Sequence, residues 1–154
     1  MKNRQTVGRL IRWALLGMLA AFGVAAHADD VSLFDASGAA QAYISVDDGL
    51  TIYMWSGEPV AYLQKGGAGG GYNVYGFNGK HLGWFAKGAI YGPDGTASCA
   101  TAQVMTSIPQ IEPIKSIKEI KPIKSIPEIA PIQPLLAGRF GDTPCSLLLG
   151  EGGE

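Results

Sequence analysis

The chain has 154 residues, of which 47% are apolar and 16% are charged, which is enough for one modest hydrophobic core and too short for two large domains. Its 22 glycines and 9 prolines approach a low-complexity composition, but three Trp, six Tyr and five Phe are too many aromatics for a disordered chain. The formal net charge is −1. The composition therefore predicts a single ordered domain that is rich in turns.

The first 28 residues have the features of a secretory signal peptide. Four basic residues and no acidic residue occupy the first twelve positions, and an unbroken apolar run follows at 13–26. This run is shorter than the roughly 20 residues that a membrane-spanning helix needs. It ends in Ala26-His27-Ala28, a small-x-small cleavage pattern, so we expect cleavage after Ala28. We therefore expect a periplasmic or secreted protein whose mature chain does not span the membrane.

Removal of this segment would change the charge balance. It takes away four of the 12 basic residues and none of the 13 acidic ones, which leaves a net charge of −5 on residues 29–154. Binding to nucleic acid depends on a basic footprint that neutralises phosphates. The sequence therefore argues against a nucleic-acid partner.

Two cysteines, Cys99 and Cys145, remain in the mature chain. In an oxidising compartment they can form one disulfide, and closure of a loop of this length would contribute about 4 kcal/mol to stability in the chain-entropy model. Two cysteines do not make a framework pattern, so two buried free thiols are the alternative.

A turn signal recurs four times in the middle of the chain, at Ser37-Gly38, Ser56-Gly57, Asn78-Gly79 and Asp94-Gly95. Each glycine is preceded by an aliphatic residue at −5 and an aromatic at −4, and is followed by a small residue at +4. The small residues are Ala42, Ala61, Gly83 and Cys99. Such dipeptides between strand-forming segments predict β-hairpins with two-residue primed turns. Because an isolated hairpin is marginally stable, the four units should pack into a small barrel or rosette.

The faces of the second and third hairpins are unusual. With two-residue turns, one face carries six aromatic residues together with Val60 and Leu82, and the opposite face carries aliphatic residues, glycines, Met54 and Phe85. Neither face is polar, so both need cover. The aromatic residues are interpreted as a packed core or as the wall of a pocket for an apolar or sugar-like ligand: Tyr53, Trp55, Tyr62, Tyr75, Phe77 and Trp84.

The segment 108–135 has a period of three. An aliphatic residue occupies every third position, as Ile108, Ile111, Ile114, Ile117, Ile120, Ile123, Ile126, Ile129, Ile132 and Leu135. Prolines exclude an α-helix, and of the extended forms polyproline II places all ten on one edge. A second edge carries Lys115, Lys118, Lys121 and Lys124. The segment is either a straight spacer of roughly 85 Å or a docked tail whose isoleucines are buried in a groove of the domain or of a partner.

No constellation in the sequence predicts catalysis. His81 is the one histidine that would remain after cleavage, so a histidine-rich metal site is excluded, and we interpret His81 as a solvated residue beside a hairpin turn. Asp47-Asp48-Gly49 lacks the further acidic residues of a calcium loop and is interpreted as a polar turn. We expect no catalytic residue, metal site or cofactor, and no enzymatic activity.

Three segments resemble a known family: 31–34 (VSLF), 50–63 (LTIYMWSGEPVAYL) and, most specifically, 74–85 (VYGFNGKHLGWF). They resemble the four-fold β-flower domain, a bacterial family named for its ring of hairpin petals. The resemblance covers roughly residues 31–101 and implies a shallow all-β rosette with an apolar central channel and no established activity. The chain departs from the family pattern in two places, the glycine-rich loop from Gly66 to Gly71 and the fourth unit around Ser98, Cys99 and Ala100.

The sequence thus predicts an all-β protein, a small pseudo-four-fold rosette or shallow barrel of hairpins followed by a polyproline II-like tail. The expected divisions are a signal peptide (1–28), a four-hairpin β-flower domain (29–104), a triplet-repeat tail (105–136) and a C-terminal segment (137–154). We expect a non-catalytic binding or interaction module of the cell envelope, with an envelope protein, a lipid or a glycan as partner and with homo-oligomerisation left open. The alternative is a structural spacer in which the rosette is an anchor and the tail a rigid arm.

Overall fold

The computed structural model describes residues 29–66 and 70–153, so the predicted signal peptide lies outside the described residues. The described residues contain eight strands, a 3-10 helix at Ala102–Val104 and a short helix, α1 (Cys145–Gly150). The strands are β1 (Val31–Phe34), β2 (Ala40–Ser45), β3 (Thr51–Met54), β4 (Pro59–Lys65), β5 (Tyr72–Gly76), β6 (His81–Ala86), β7 (Ala89–Tyr91) and β8 (Ala97–Ala100). Among these described residues, no helix has the length and apolar character to cross a membrane.

The eight strands form a closed antiparallel barrel in which each strand pairs with its neighbour in the sequence. The ring closes where Phe34 of β1 pairs with Ala100 of β8. The all-β prediction is confirmed. The hairpins β1–β2, β3–β4, β5–β6 and β7–β8 correspond to the four predicted units, and we call them petals 1 to 4.

The turns at the petal tips contain three residues, so the predicted two-residue turns are wrong. In petal 2 the N–H of Met54 donates to the carbonyl of Glu58 at 2.8 Å, and the N–H of Gly57 donates to the carbonyl of Met54 at 2.9 Å. Gly57 has a φ of +94°, as a three-residue loop requires of its last residue. The other three petal tips repeat this arrangement. A two-residue turn with positive φ at both positions instead joins β6 to β7, at Lys87-Gly88.

This loop length changes which residues face the barrel interior. In petals 2 and 3 the register shifts between the aliphatic and the aromatic residue of the first strand, at Ile52/Tyr53 and Val74/Tyr75. The shift places Val60 and Leu82 in the interior cluster. The prediction that they lie on the aromatic face is therefore wrong. Each register shift adds one unpaired residue to a strand, and this residue reverses which face of the sheet the neighbouring side chains point to.

The interior is filled by the chain itself. Each inward aliphatic residue pairs across its hairpin with a small residue, as Ile52 does with Ala61 and Ile90 with Cys99. Leu148 and Leu149 of α1 pack against them, both almost completely buried. A disulfide joins Cys99 to Cys145, with 5.1 Å between the Cα atoms, so the alternative of two free thiols is wrong. The disulfide and the leucines of α1 thus occupy the channel that the family resemblance implied.

Candidate functional site

The tail runs around the barrel and passes the four petal tips in order. The carbonyl groups of Ile108, Ile117, Ile126 and Leu135 lie against the tip glycines Gly38, Gly57, Gly79 and Gly95, respectively. These four tail residues are nine positions apart. Because polyproline II has three residues per turn, nine residues are three complete turns. The same edge of the tail therefore meets every petal tip.

A ladder of backbone hydrogen bonds fixes the tail to the tips. In petal 2, the N–H groups of Ser116 and Glu119 donate to the carbonyls of Trp55 and Gly57, at 3.2 and 2.9 Å. The other donors in the same triplet register are Gln110, Ser125, Glu128 and Ala137, and their acceptors are Gly38, Phe77, Gly79 and Gly95. The remaining positions of this register are prolines, at 113, 122, 131 and 134. Proline has no N–H to donate. Within this register, proline therefore occurs only at positions where the tail donates no backbone hydrogen bond to a petal tip.

The lysine edge of the tail faces the aromatic outer wall of the barrel. The ammonium of Lys115 lies 4.3 Å from the ring centroid of Tyr43, and that of Lys124 lies 3.8 Å from the centroid of Tyr62. Both distances are within the range of a cation–π contact. The tail lysines therefore cover aromatic rings on the outer face of petals 1 and 2, and in petal 2 they supply part of the cover that the sequence demanded.

Three of the tail lysines also form ion pairs with the barrel, and one of them, Lys118, lies 3.8 Å from Asp30. Lys115 pairs with Asp30 at 3.1 Å and Lys121 with Asp48 at 2.5 Å. Burial acts to raise the pKa of the Asp48 carboxyl, but hydrogen bonds from Lys121 and from the hydroxyl of Tyr53 outweigh it and lower that pKa. The charge of the lysine edge is therefore directed at the protein itself.

Five of the six aromatic residues singled out in the sequence contact the tail, whereas Trp84 contacts the ring of His81. Trp55 is half-buried and donates from its indole N–H to the carbonyl of Pro113 at 3.0 Å. The hydroxyl of Tyr75 donates to the carbonyl of Glu128 at 2.9 Å. Tyr62 stacks with Tyr75, with 6.1 Å between ring centroids. The others, Tyr53, Phe77 and Trp84, are buried as well.

His81 is buried, so its interpretation as a solvated residue is wrong. Its ring meets the rings of Tyr75 and Trp84 edge to face, and its Nε2 lies 3.2 Å from the amide oxygen of Asn73. Burial lowers the pKa of the imidazole, and the nearby Glu128 carboxylate partly opposes that effect. The same carboxylate accepts the backbone N–H of His81 at 3.0 Å.

The third edge of the tail, which carries the isoleucines, faces solvent. We call its ten aliphatic residues, from Ile108 to Leu135, the isoleucine rim; each is between 90 and 99% exposed. The expectation that docking in a groove of the domain buries these side chains is wrong. Three edges lie about 120° apart in polyproline II, so a tail that turns its lysine and amide edges to the barrel must turn the third away.

The sequence contained a signal for this docking that the triplet period alone hides. Within the amide register, acidic or amide residues, proline and serine recur in order every nine residues, at 110–116 and again at 119–125. That longer period matches one petal per repeat.

Within residues 29–66 and 70–153, no group of three or more His, Cys, Asp and Glu residues is placed so that it could hold a metal ion.

Comparison with known proteins gives one result. The sequence model of the family described as "4-fold beta flower protein" matches residues 31–149, a range that includes the barrel, the tail and most of α1. Neither the curated proteins nor the solved structures yield a match.

Proposed function

The chain belongs to the 4-fold beta flower family, which is not a known enzyme family, and we propose that it is an exported, non-catalytic interaction module of the cell envelope. The observation that carries the proposal is the isoleucine rim, whose ten aliphatic side chains are at least 90% exposed. Monomeric soluble proteins rarely leave so many large aliphatic side chains exposed along one edge without a partner.

The rim binds a partner through apolar contact alone. Burial of one such side chain contributes about 1.5–3 kcal/mol, so even half of the rim offers enough driving force for a specific complex. The rim has no cation to offer to lipid phosphates, because Lys115, Lys118 and Lys121 are turned to the barrel and paired with Asp30 or Asp48. This arrangement favours a protein partner with a complementary apolar edge over an anionic membrane surface.

The geometry of the rim adds a condition on that partner. Side chains three residues apart in polyproline II are separated by roughly 9 Å, which leaves a gap between neighbouring isoleucines. A partner with apolar side chains at a similar spacing can interdigitate with them. Because the tail is already fixed on the barrel, it keeps this spacing before the partner binds. It therefore does not lose on binding the conformational entropy that a free segment would lose.

A variant of the rim tests the proposal. Replacement of Ile111, Ile114, Ile120 and Ile123 by Thr keeps β-branched side chains and spares the residues whose carbonyls meet the petal tips. We expect the wild-type protein, cross-linked in envelope extracts, to capture a defined partner that the variant does not capture. A matched control carries Val46→Thr and Leu147→Thr, which change exposed apolar residues outside the rim. Equal capture by all three proteins would contradict the proposal.

Export has its own test. If the leader is removed as proposed, the intact mass of protein recovered from the periplasm or the medium will correspond to a chain that begins at Asp29. A chain that keeps residues 1–28 in the membrane fraction would overturn the proposed location.

The spacer alternative requires the tail to leave the barrel. That would break six backbone hydrogen bonds with the petal tips, together with the lysine contacts, so the interaction module is better supported. Small-angle scattering separates the two. We expect a radius of gyration of about 14 Å for a compact mature chain, whereas an arm of roughly 85 Å would raise it far above that value.

A further inference from the structure

The outer face of petal 4 differs from that of the other petals. In petals 1 to 3 an outward aromatic residue pairs across the hairpin with a small polar one. In petal 4 both positions are alanine, Ala89 and Ala100. The corresponding pairs in the other petals are Ser32–Tyr43, Thr51–Tyr62 and Asn73–Trp84. Petal 4 therefore lacks one large side chain on its outer wall.

Met105, Leu136 and Phe140 pack against the alanines of petal 4, and a cavity of about 450 Å³ lies beside them. Ala89, Ala97, Ala100 and Tyr91 line it from the petal. Val104 and Thr106 line it near the start of the tail, and residues 138–140, which include Phe140, line it just after the tail ends. The volume lies within the range of about 300–1,000 Å³ that is typical of small-molecule sites. The cavity thus occupies the sector that the lysine edge of the tail does not cover.

Two cations and no acidic residue belong to the lining. Lys87 lies in the turn between β6 and β7, with a φ of +50°. The backbone carbonyl of Arg139 accepts a hydrogen bond from the N–H of Ala97 at 3.0 Å, and this bond fixes the backbone of Arg139 beside petal 4. Neither cation forms an ion pair within residues 29–66 and 70–153. The carboxylate of Asp94, outside the lining, accepts hydrogen bonds from Thr96, and these together with the more distant charge of Arg139 lower its pKa.

A cavity with apolar walls and two cations that form no ion pair in the described part of the chain is complementary to a molecule that has a hydrocarbon chain and an anionic head. We propose that this cavity binds a medium-chain fatty acid. The alkyl chain lies against the alanines of petal 4, Tyr91 and Phe140, and the carboxylate is held by Lys87 and Arg139. Charge-assisted hydrogen bonds to a carboxylate are stronger than neutral ones, so the head group contributes much of the selectivity.

Calorimetric titration of the mature protein with dodecanoate, kept below its micelle concentration, tests the site. We expect saturable binding of one molecule per chain. Dodecyltrimethylammonium has the same chain and the opposite head charge, and we expect it to bind at least tenfold more weakly. Lys87→Gln and Arg139→Gln should each weaken dodecanoate binding by about tenfold, since each removes one hydrogen bond to a charged group.

A third variant tests the position of the chain. Ala100→Tyr gives petal 4 the aromatic residue that the other petals have at this position, and it should abolish binding by filling the cavity. The rim variant described above should bind dodecanoate as the wild type does, which separates this site from the proposed interaction surface. Equal affinity for the two head groups, loss of binding in the rim variant, or unchanged binding in both the Lys87 and Arg139 variants would overturn the proposal. These last two replacements alter exposed side chains, so they carry the test even if Ala100→Tyr does not fold.

Discussion

The backbone N–H of Glu119 donates a 2.9 Å hydrogen bond to the carbonyl of Gly57, the residue at the tip of petal 2. Equivalent bonds join the tail to the tips of the other three petals. At all four tips the tail is therefore bound through the backbone of the turn, and petal 2 adds one side-chain contact, from the indole of Trp55 to the carbonyl of Pro113. This explains how tips with different sequences at 36–37, 55–56, 77–78 and 93–94 hold one repeating segment.

The first prediction concerns the tip glycines. Gly38→Ala places a Cβ about 2.6 Å from the carbonyl oxygen of Ile108 and forces an L-residue into a φ of +86°. The left-handed conformation alone costs roughly 1–2 kcal/mol, and the contact with the tail adds to it. We expect a loss of more than 2 kcal/mol in the free energy of unfolding, measured by urea denaturation.

A matched control separates these two causes. Gly49 has a φ of +66°, but a Cβ there would have no neighbour within 4 Å. Gly49→Ala should therefore show the conformational cost and no more. Equal losses in the two variants would mean that the tail does not press on the petal tip.

The second prediction concerns the disulfide between Cys99 and Cys145. Replacement of both by Ala should lower the free energy of unfolding by about 4 kcal/mol in the chain-entropy model, because the two cysteines are 46 positions apart in the sequence. Hydrogen exchange should accelerate first in α1, whose leucines fill the barrel. Leu147→Ala, which changes an exposed residue of the same helix, serves as the control. A change below 1 kcal/mol in the double variant would show that packing alone holds α1.

The third prediction concerns the contact of Lys124 with Tyr62. Lys124→Gln removes a cation that lies 3.8 Å from the ring centroid, and exposed contacts of this kind contribute about 0.5–1 kcal/mol. We expect a loss of that size in urea denaturation. Lys65→Gln, at an exposed lysine near the end of β4, should change stability little. Identical behaviour of the two variants would mean that the contact contributes nothing.

The parts of the fold that local signals determine could be predicted from the sequence. The glycines at the petal tips and the aliphatic and aromatic residues before them are local, and the four hairpins form where these signals stand. The length of the turns was not predictable in this way, because Asn78-Gly79 suits a two-residue turn as well as the end of a three-residue loop. That one-residue difference moved Val60 and Leu82 to the other face.

The path of the tail depends on contacts between distant parts of the chain, and the triplet period could not reveal it. The period defines three edges but does not say which edge faces the barrel. The apolar edge was the expected choice because burial of isoleucine is favourable. The barrel instead offers carbonyl groups at its tips and aromatic rings on its wall. Those groups attract amides and ammonium ions, so the lysine and amide edges face inward.

The fourth prediction concerns pH and follows from the burial of His81. Burial holds the pKa of its imidazole below the ordinary value of 6.5, with Glu128 acting in the opposite direction. As pH falls through about 6.5, the unfolded chain takes up a proton on this residue that the folded chain does not. The free energy of unfolding should therefore decrease as pH falls below that value, before the aspartates begin to titrate.

The measurement is the melting temperature between pH 7.5 and pH 5. His81→Gln keeps a polar side chain near Asn73 but cannot titrate, so its melting temperature should stay level where that of the wild type falls. Three carboxyls have lowered pKa values in the folded state, those of Asp35, Asp48 and Asp94. Their stabilising effect is lost only as pH falls below about 4, so it does not affect the comparison. A parallel decline in both proteins would assign the effect to another group and would argue against a buried, neutral His81.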